Sequence, residues 1–412
     1  MHVSGDKTRS PQLWTSNTVQ KALLLQSVRT FVTGYPPRIP RDKPNPDRAP
    51  RYARNMKILY GVVGEGMGHA IRSRVVLDHL IASGHAVEIM ASSRAADFLA
   101  KRFEDVHKIH GLHIIYDENR ARMGRSVISN VLAGTAALPQ QIRSYFELIE
   151  DFKPEVVISD FESWVYFYAK LRRLPIVSID NMQVINRCLH PPEILEGIRP
   201  EFELARAFVK SKLPFCDHYL IATFFDLPLR KERTTLVPPV LRPEILNAAA
   251  TRGDHLLVYQ TAEGHDALTD ALAATGVECR IYGMRRELEA DQVEGNLRYR
   301  PFNEAAFIAD MASSRAVISG GSFTVMSECV YLHKPLLAVP VDGQIEQVIN
   351  ARYLERQGFG QLAEHLDGPA ISRFMQALPS CEARLANYRQ DGNKTLFAAL
   401  DTRLVRAAEG SD

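Results

Sequence analysis

From Met56 onward, short apolar runs alternate with stretches in which apolar residues recur every three or four positions. Lys57–Val63 (KILYGVV) is a compact apolar run that ends in a glycine-rich turn. Ala70–Ser83 then places Ile71, Val75, Leu77, Leu80 and Ile81 at helical spacing, and Ala86–Met90 is apolar again. A short apolar run bounded by turn residues predicts a buried strand, and a period near 3.6 predicts an amphipathic helix. The alternation therefore predicts a parallel sheet wrapped by helices. Further strands are expected at His113–Tyr116, Glu155–Ser159, Ile176–Ile179 and His218–Ala222. Pro154 and Pro175 fall just before two of them, where a missing N–H is tolerated.

A second alternating series follows the proline-rich joint Val237–Pro243. Its strands are expected at Leu256–Gln260, Glu278–Tyr282, Leu297–Arg300, Ala316–Ser319 and Leu336–Val339. Helices fill the gaps at Gly264–Ala274, Glu304–Ser313, Ser322–Leu332 and Gln344–Gln357, and Asn393–Ala408 is amphipathic through Leu396, Leu400, Leu404 and Val405. The pattern divides the chain into a unit at 56–240, a unit at 241–375 and C-terminal helices at 376–412 that can cross back to the first unit. The fold class is α/β, with two Rossmann-like parallel sheets facing across a cleft. Ligands of open α/β sheets bind beyond the carboxyl ends of the strands, so residues just after the strands are the ones to inspect.

Composition narrows the function. The 412 residues are 46% hydrophobic and 24% charged, as in an ordinary globular protein, and the formal charge is +2. That balance does not suit a nucleic-acid binder, and no apolar run reaches the ~18 residues of a membrane span. Five cysteines with no CxxC pair argue against a metal cage or a disulfide framework and point to a reducing, cytoplasmic setting. The charge is concentrated at the start. Residues 1–55 hold ten Lys/Arg against three Asp/Glu, while the remainder carries 40 basic and 45 acidic side chains. Tyr35–Pro50 contains six prolines and no apolar period; such a segment cannot bury enough surface to offset its ordering entropy. Residues 1–55 thus read as a basic, disordered extension, with some likeness to a transit peptide.

The first turn, Gly61-Val62-Val63-Gly64-Glu65-Gly66-Met67-Gly68-His69, lets backbone approach a ligand and opens a helix whose N–H groups favour negative charge. It does not fit the dinucleotide pattern in register, and Ala91-Ser92-Ser93-Arg94 ends the second strand where an acidic residue belongs. His69 stands at the carboxyl end of the first strand and is a candidate general base, against the plainer role of a solvated residue at a helix start. Asp160 ends another strand and is suited to hold the other imidazole nitrogen, as in a triad, or to cap the next helix. Ser178–Gln183 places Asp180, Asn181 and Gln183 at the same edge of the sheet, where they suit a sugar or acceptor pocket. In the second half, Ile318–Glu328 reads as strand, glycine turn and helix. Gly321, Ser322, Phe323 and Thr324 suit a pyrophosphate, and Glu328 is placed to accept from vicinal ribose hydroxyls. The polar cluster Asp342, Gln344, Glu346, Gln347 and Asn350 is equipped to read a sugar.

Together these motifs resemble a GT-B glycosyltransferase of the MurG-like family, which includes peptidoglycan N-acetylglucosaminyltransferase and galactolipid synthases. Gly66-Met67-Gly68-His69 resembles that family's first glycine loop. Val240–Leu246 is similar to the segment whose arginine, here Arg242, contacts donor phosphate, with spacing differing by one residue. Arg300-Pro301-Phe302-Asn303 resembles the segment that reads the uracil edge, and Phe323–Glu328 the phosphate turn and ribose carboxylate. Glu346-Gln347-Val348-Ile349-Asn350-Ala351 resembles the donor-sugar segment, with Glu346 in place of the first glutamine. The second glycine loop is represented by Tyr259–Gly264, with fewer glycines and Thr261 at the phosphate position.

The resemblance implies an inverting, metal-independent transferase that uses a UDP-sugar, needs no cofactor and makes at most peripheral contact with a membrane. Leu171–Leu174 and Arg206–Leu213 are the candidate membrane segments. Gly66-Met67-Gly68-His69-Ala70-Ile71-Arg72 also matches the Gly-x-Gly-His-x-x-Arg loop of nucleotide-sugar hydrolases of the same fold, in which His69 activates water. A catalytically silent nucleotide-sugar-binding module is the third alternative.

Overall fold

The computed structural model describes residues 55–64, 66–109, 116–117, 120–121, 145, 147–260 and 266–410. The expected extension at 1–55 lies almost wholly outside the described residues, as do Thr261, most of the glycine-poor loop around it and most of the strand expected at His113–Tyr116.

The first sheet consists of β1 (Lys57–Val62), β2 (Ala86–Ser92), β3 (Val106–Ile109), β6 (Val156–Asp160), β7 (Ile176–Asp180), β8 (His218–Ala222) and β9 (Thr234–Val237). A separate two-stranded ladder pairs β4 (Tyr116–Asp117) with β5 (Arg120–Ala121). The sheet order is β3-β2-β1-β6-β7-β8-β9, and every pair is parallel. The second sheet holds β10 (Leu256–Tyr259), β11 (Cys279–Tyr282), β12 (Gln292–Glu294), β13 (Leu297–Arg300), β14 (Ala316–Gly320), β15 (Leu336–Val339) and β16 (Gly360–Leu362). Its order is β12-β13-β11-β10-β14-β15-β16, parallel except at the β12 edge. In both sheets the chain starts in the middle, winds to one side, returns and winds to the other. The reversal points lie between β1 and β6 and between β10 and β14, where side chains leave room for a ligand beyond the strand ends.

Five helices set up the site. They are α1 (Met67–Ala82), α2 (Ser163–Arg172), α3 (Arg199–Lys212), α4 (Glu304–Ser313) and α5 (Phe323–Tyr331). α6 (Ile345–Gln357) follows β15, and α7 (Lys394–Glu409) packs on β8 and β9 of the first sheet. The central strands are buried on both faces, as expected of sheets covered by helices. All five cysteines are buried free thiols.

The two halves touch along the cleft. A Cβ on Gly68 would come within 2.6 Å of Thr324 Oγ1, so glycine is needed there for α1 and α5 to approach end to end. Phe224 stacks on Phe323 with centroids 5.8 Å apart, and Phe225 stacks on Tyr353 at 4.1 Å. Arg352 of α6 donates to the carbonyls of Ile194 (2.8 Å) and Glu196 (2.7 Å).

Candidate active site

His69 occupies the third position of α1, and Asp160 is the last residue of β6. The register pairs Val62 with Asp160, which brings the two residues to the same strand end although 91 positions separate them. His69 Nδ1 lies 2.7 Å from Asp160 Oδ1. The aspartate is fully buried, while the imidazole keeps about a fifth of its surface exposed (21%). Phe161, the next residue, is buried with φ +58°. A left-handed conformation is costly for an aromatic residue; here it turns the chain immediately after the carboxylate.

Two further residues of α1 hold Asp160. Arg72 donates from Nε to Oδ2 (3.0 Å) and from Nη2 to Oδ1 (2.5 Å), and Ser73 Oγ donates to Oδ2 (2.9 Å). Arg72 Nη2 also lies 2.9 Å from His69 Nδ1. Burial alone would raise the Asp160 carboxyl, but Arg72 and His69 hold it below the usual aspartate range. A guanidinium offers only donors and an ionised carboxylate only acceptors. With the Nδ1 proton in the shorter bond, to Asp160 at 2.7 Å, Nε2 is the basic nitrogen. The sequence reading of Asp160 as a helix cap does not describe this geometry: Glu162 caps α2, accepting from Val165 N at 2.9 Å.

Asp180 ends β7 beside this group. Ser178 Oγ donates to its Oδ2 (2.7 Å) and Gln183 N to its Oδ1 (2.8 Å). Burial, with a contribution from Asp160, pushes its carboxyl up to about 6. Because this value exceeds that of an unfolded aspartate near 3.9, Asp180 contributes its full stability below about pH 4 and loses it as pH rises through 6. The span corresponds to about 3 kcal/mol. Asp180→Asn should flatten the stability profile between pH 4 and pH 7, measured by urea unfolding. An unchanged profile would show that Asp180 does not titrate there.

Asn181 and Asn350 bridge the halves. Asn350 Nδ2 reaches Asn181 Oδ1 at 2.9 Å and Glu346 Oε1 at 3.1 Å. Desolvation raises the Glu346 carboxyl above the usual glutamate range against the pull of His69 and Arg72, so the sugar-segment carboxylate lies within electrostatic reach of the histidine.

The second-half motifs gather at the ends of β13 to β15. Ser322 is the N-cap of α5 and makes no side-chain cap; Gly66 has the same position on α1 and has no side chain to offer. Gly321 sits against α6, where a Cβ would be 2.4 Å from Gln347 Cβ. Gln347 Oε1 accepts from Val341 N at 3.0 Å, and Gln344 is the N-cap residue of α6. Phe302 is exposed (63%) among Tyr259, Tyr282 and Phe307. Asn303 caps α4 through Oδ1 to Ala306 N (2.9 Å).

Glu328 and Arg242, read separately as ribose and phosphate ligands, are paired with each other. Arg242 Nη2 donates to Glu328 Oε2 at 2.9 Å, and Nη1 donates to Glu304 Oε1 at 2.6 Å. A cavity of about 650 Å³ is lined by Glu244, Asn303, Glu304 and Ile308, and neither this pair nor His69 is among its lining residues. Sequence reasoning missed Ser73 and Glu304 and treated Arg72 only as part of a loop motif. The available signal was the i, i+3 spacing of His69 and Arg72, which puts both on one helix face. Among the described residues, no group of three or more His, Cys, Asp or Glu is arranged to hold a metal ion.

Residues 56–379 match the family model for glycosyl transferase family 1. The chain belongs to that family. It is a GT-B glycosyltransferase, an enzyme that transfers sugar from a nucleotide sugar. An uncharacterized glycosyltransferase of Methanosarcina mazei is 24% identical over 77% of this chain and 88% of its own. A UDP-N-acetylglucosamine–N-acetylmuramyl-(pentapeptide) pyrophosphoryl-undecaprenol N-acetylglucosamine transferase of Bacillus cereus is 26% identical over 60% of this chain and 71% of its own. Among solved structures, Phytolacca americana UGT2, complexed with UDP-2-fluoroglucose and pterostilbene, aligns with TM-score 0.59 at 12% identity, covering 85% of this chain and 99% of that one. The calicheamicin glycosyltransferase CalG4 aligns with TM-score 0.57 at 16% identity, covering 87% and 98%. The likeness to these structures carries the fold. The hydrolase and silent-module alternatives gain no support from the comparisons.

Proposed function

We propose that this glycosyltransferase inverts the anomeric centre of a UDP-sugar, with His69 as general base and no metal ion. The observation that carries the reading is the His69–Asp160 bond at the reversal point of the first sheet. His69 Nε2 takes the proton of the acceptor hydroxyl as its oxygen attacks the anomeric carbon. The bond from that carbon to the β-phosphate oxygen breaks on the opposite face, and Asp160 stabilises the imidazolium. Direct displacement of this kind inverts configuration.

The leaving diphosphate has a place prepared by electrostatics. α1 and α5 bring two N-termini together at Gly68 and Thr324. Each end carries about half a positive charge, so the arrangement repels itself until an anion lies between. The family's UDP-sugar relatives and the uridine-type segment at Phe302–Asn303 support UDP as the nucleotide. Phe302, Asn303, Gly321, Thr324 and Glu328 are assigned to it, and Gln344, Glu346 and Gln347 to the sugar.

The test is UDP release from a panel of UDP-glucose, UDP-galactose, UDP-N-acetylglucosamine and UDP-glucuronate, first with water and then with lipid, glycan and small-molecule acceptors. Acceptor-stimulated release, an inverted product by NMR and undiminished rates in excess EDTA are expected. A retained anomer, or activity lost in EDTA and restored by Mg²⁺ or Mn²⁺, contradicts the mechanism.

Peripheral membrane contact is part of the same reading. Among the described residues no helix is long and apolar enough to cross a membrane. Leu171 (61%) and Phe215 (62%) are exposed, and Lys170 Nζ donates to the Phe215 carbonyl at 2.6 Å. Arg172 and Arg173 lie beside them. The second candidate segment is weaker, because Val209, Lys212 and Leu213 of α3 and its end are buried. Binding to vesicles with anionic lipid should occur at low salt and vanish at high salt. Retention at high salt would exclude an electrostatic contact.

A further inference from the structure

We propose that Arg72 is a positioning residue that locks the Asp160–His69 pair in its reactive arrangement, an inference that rests on His69 being the base. Asp160 has two oxygens and four protein contacts. The Arg72 fork spans both oxygens, Ser73 fills a second site on Oδ2, and His69 receives the remaining direction on Oδ1. A bidentate guanidinium fixes the plane of a carboxylate as well as its charge. The carboxylate therefore cannot rotate away from Nδ1. Because Arg72 and His69 are one helical turn apart on α1, the clamp and the base move as one body.

The clamp also sets charge. Arg72 Nη2 approaches Nδ1 to 2.9 Å, so the guanidinium stands against both members of the pair. The groups that face this centre come from four elements. Asp160 on β6 and Asp180 on β7 are carboxylates, Glu346 on α6 adds a third, and Tyr60 on β1 is a buried phenol. The guanidinium is the cation among them that touches both members of the pair. Without it, the buried Asp160 carboxyl loses the first of the charges that hold it down and takes up a proton more readily.

The experiment compares the pH dependence of kcat for wild type, Arg72→Gln, Arg72→Lys and His69→Ala, by UDP release with the donor that the panel selects. Arg72→Gln should lower kcat at pH 7 by about 10²-fold, the cost of a misplaced reacting group. Its acid limb should move up by about one pH unit or more, the effect of a charge within hydrogen-bonding range. The KM for the donor should change little. Arg72→Lys, which keeps the charge without the fork, should leave the limb in place and recover part of kcat. Independently of turnover, the ¹⁵N shifts of the His69 ring should report the Nδ1–H tautomer in wild type and a mixture in Arg72→Gln. An unmoved limb with an unchanged tautomer in Arg72→Gln, in a protein where His69→Ala is inactive, would overturn the Arg72 role alone. Normal turnover in His69→Ala would overturn the base itself. If Arg72→Gln fails to fold, wild-type kcat in Arg72→Lys would show that the fork positions nothing.

Discussion

His69→Ala should lower kcat by about 10²–10⁴-fold, the range for loss of a general base, with little change in UDP affinity. The separation of the two effects follows from the geometry. His69 is tied to Asp160 and acts on the acceptor, whereas the side chains assigned to the nucleotide lie in the second half and the first half adds only the α1 backbone, which alanine at 69 leaves in place. Asp160→Asn should be comparably inactive for a different reason. An amide at that position presents a donor where the buried site needs acceptors, so it removes the preference for the Nδ1–H tautomer. It also strips Arg72 of its charged partner, so it should cost stability as well. Alanine at His69 leaves the Arg72–Asp160 pair intact and should not. Asp160 itself has its carboxyl depressed, so its stabilising contribution is present above the unfolded value near 3.9 and is lost only as pH falls through the lower folded one. A decline of kcat above pH 5 therefore belongs to another group. Steady-state kinetics with UDP calorimetry on both variants checks this. Wild-type turnover in His69→Ala would remove the histidine from the reaction.

The repeating apolar runs located the central strands because these are buried on both faces and bounded by turns. His218–Ala222, Leu297–Arg300 and Leu336–Val339 match the structure at both ends. The strands of the two large sheets that escaped are β3, β9, β12 and β16, three or four residues long and at the sheet edges. Stretches such as Gln292–Glu294 have no apolar excess to detect. The helix Gly368–Leu385 was covered only in part by the helices expected at 376–412; Pro379, a residue that ordinarily breaks a helix, lies within it, and its buried face includes Phe374, Leu378, Cys381 and Leu385. The site was legible where chemistry sits directly after a strand, as with His69, Asp160 and Gly321. Its supporting residues were not. Arg72 and Ser73 look like the solvent face of an amphipathic helix, and only the neighbouring strand end makes them buried partners of a carboxylate. The pairing of Arg242 with Glu328, 86 residues apart, has no local signature at all. The resemblance gave each residue a ligand and was silent about their contact with each other.

That pairing makes Glu328→Ala the variant with the widest expected consequences. Glu328 is buried and Arg242 nearly so, with Nη2 to Oε2 at 2.9 Å and Nε 2.8 Å from Oε1. Truncation leaves a buried guanidinium with Glu304 as its remaining carboxylate partner. Breaking one side of a buried ion pair costs about 3–5 kcal/mol; Glu304, which is partly exposed, should hold the loss to about 3. The proposed donor roles add a second effect. Arg242 and Glu328 cannot serve a phosphate and a ribose while fully engaged with each other. In those proposed roles, binding of UDP would exchange partners: the diphosphate would take over Arg242, and the freed carboxylate would accept from the ribose hydroxyls. Losing those charged hydrogen bonds should weaken UDP binding by roughly 1–3 kcal/mol. Glu328→Gln should keep more of the stability than of the affinity, because an amide fills the space but accepts through one oxygen. Urea unfolding with and without UDP, together with calorimetry, separates the terms. A destabilised Glu328→Ala protein with wild-type UDP affinity would make Glu328 a structural partner of Arg242 and remove it from the nucleotide site.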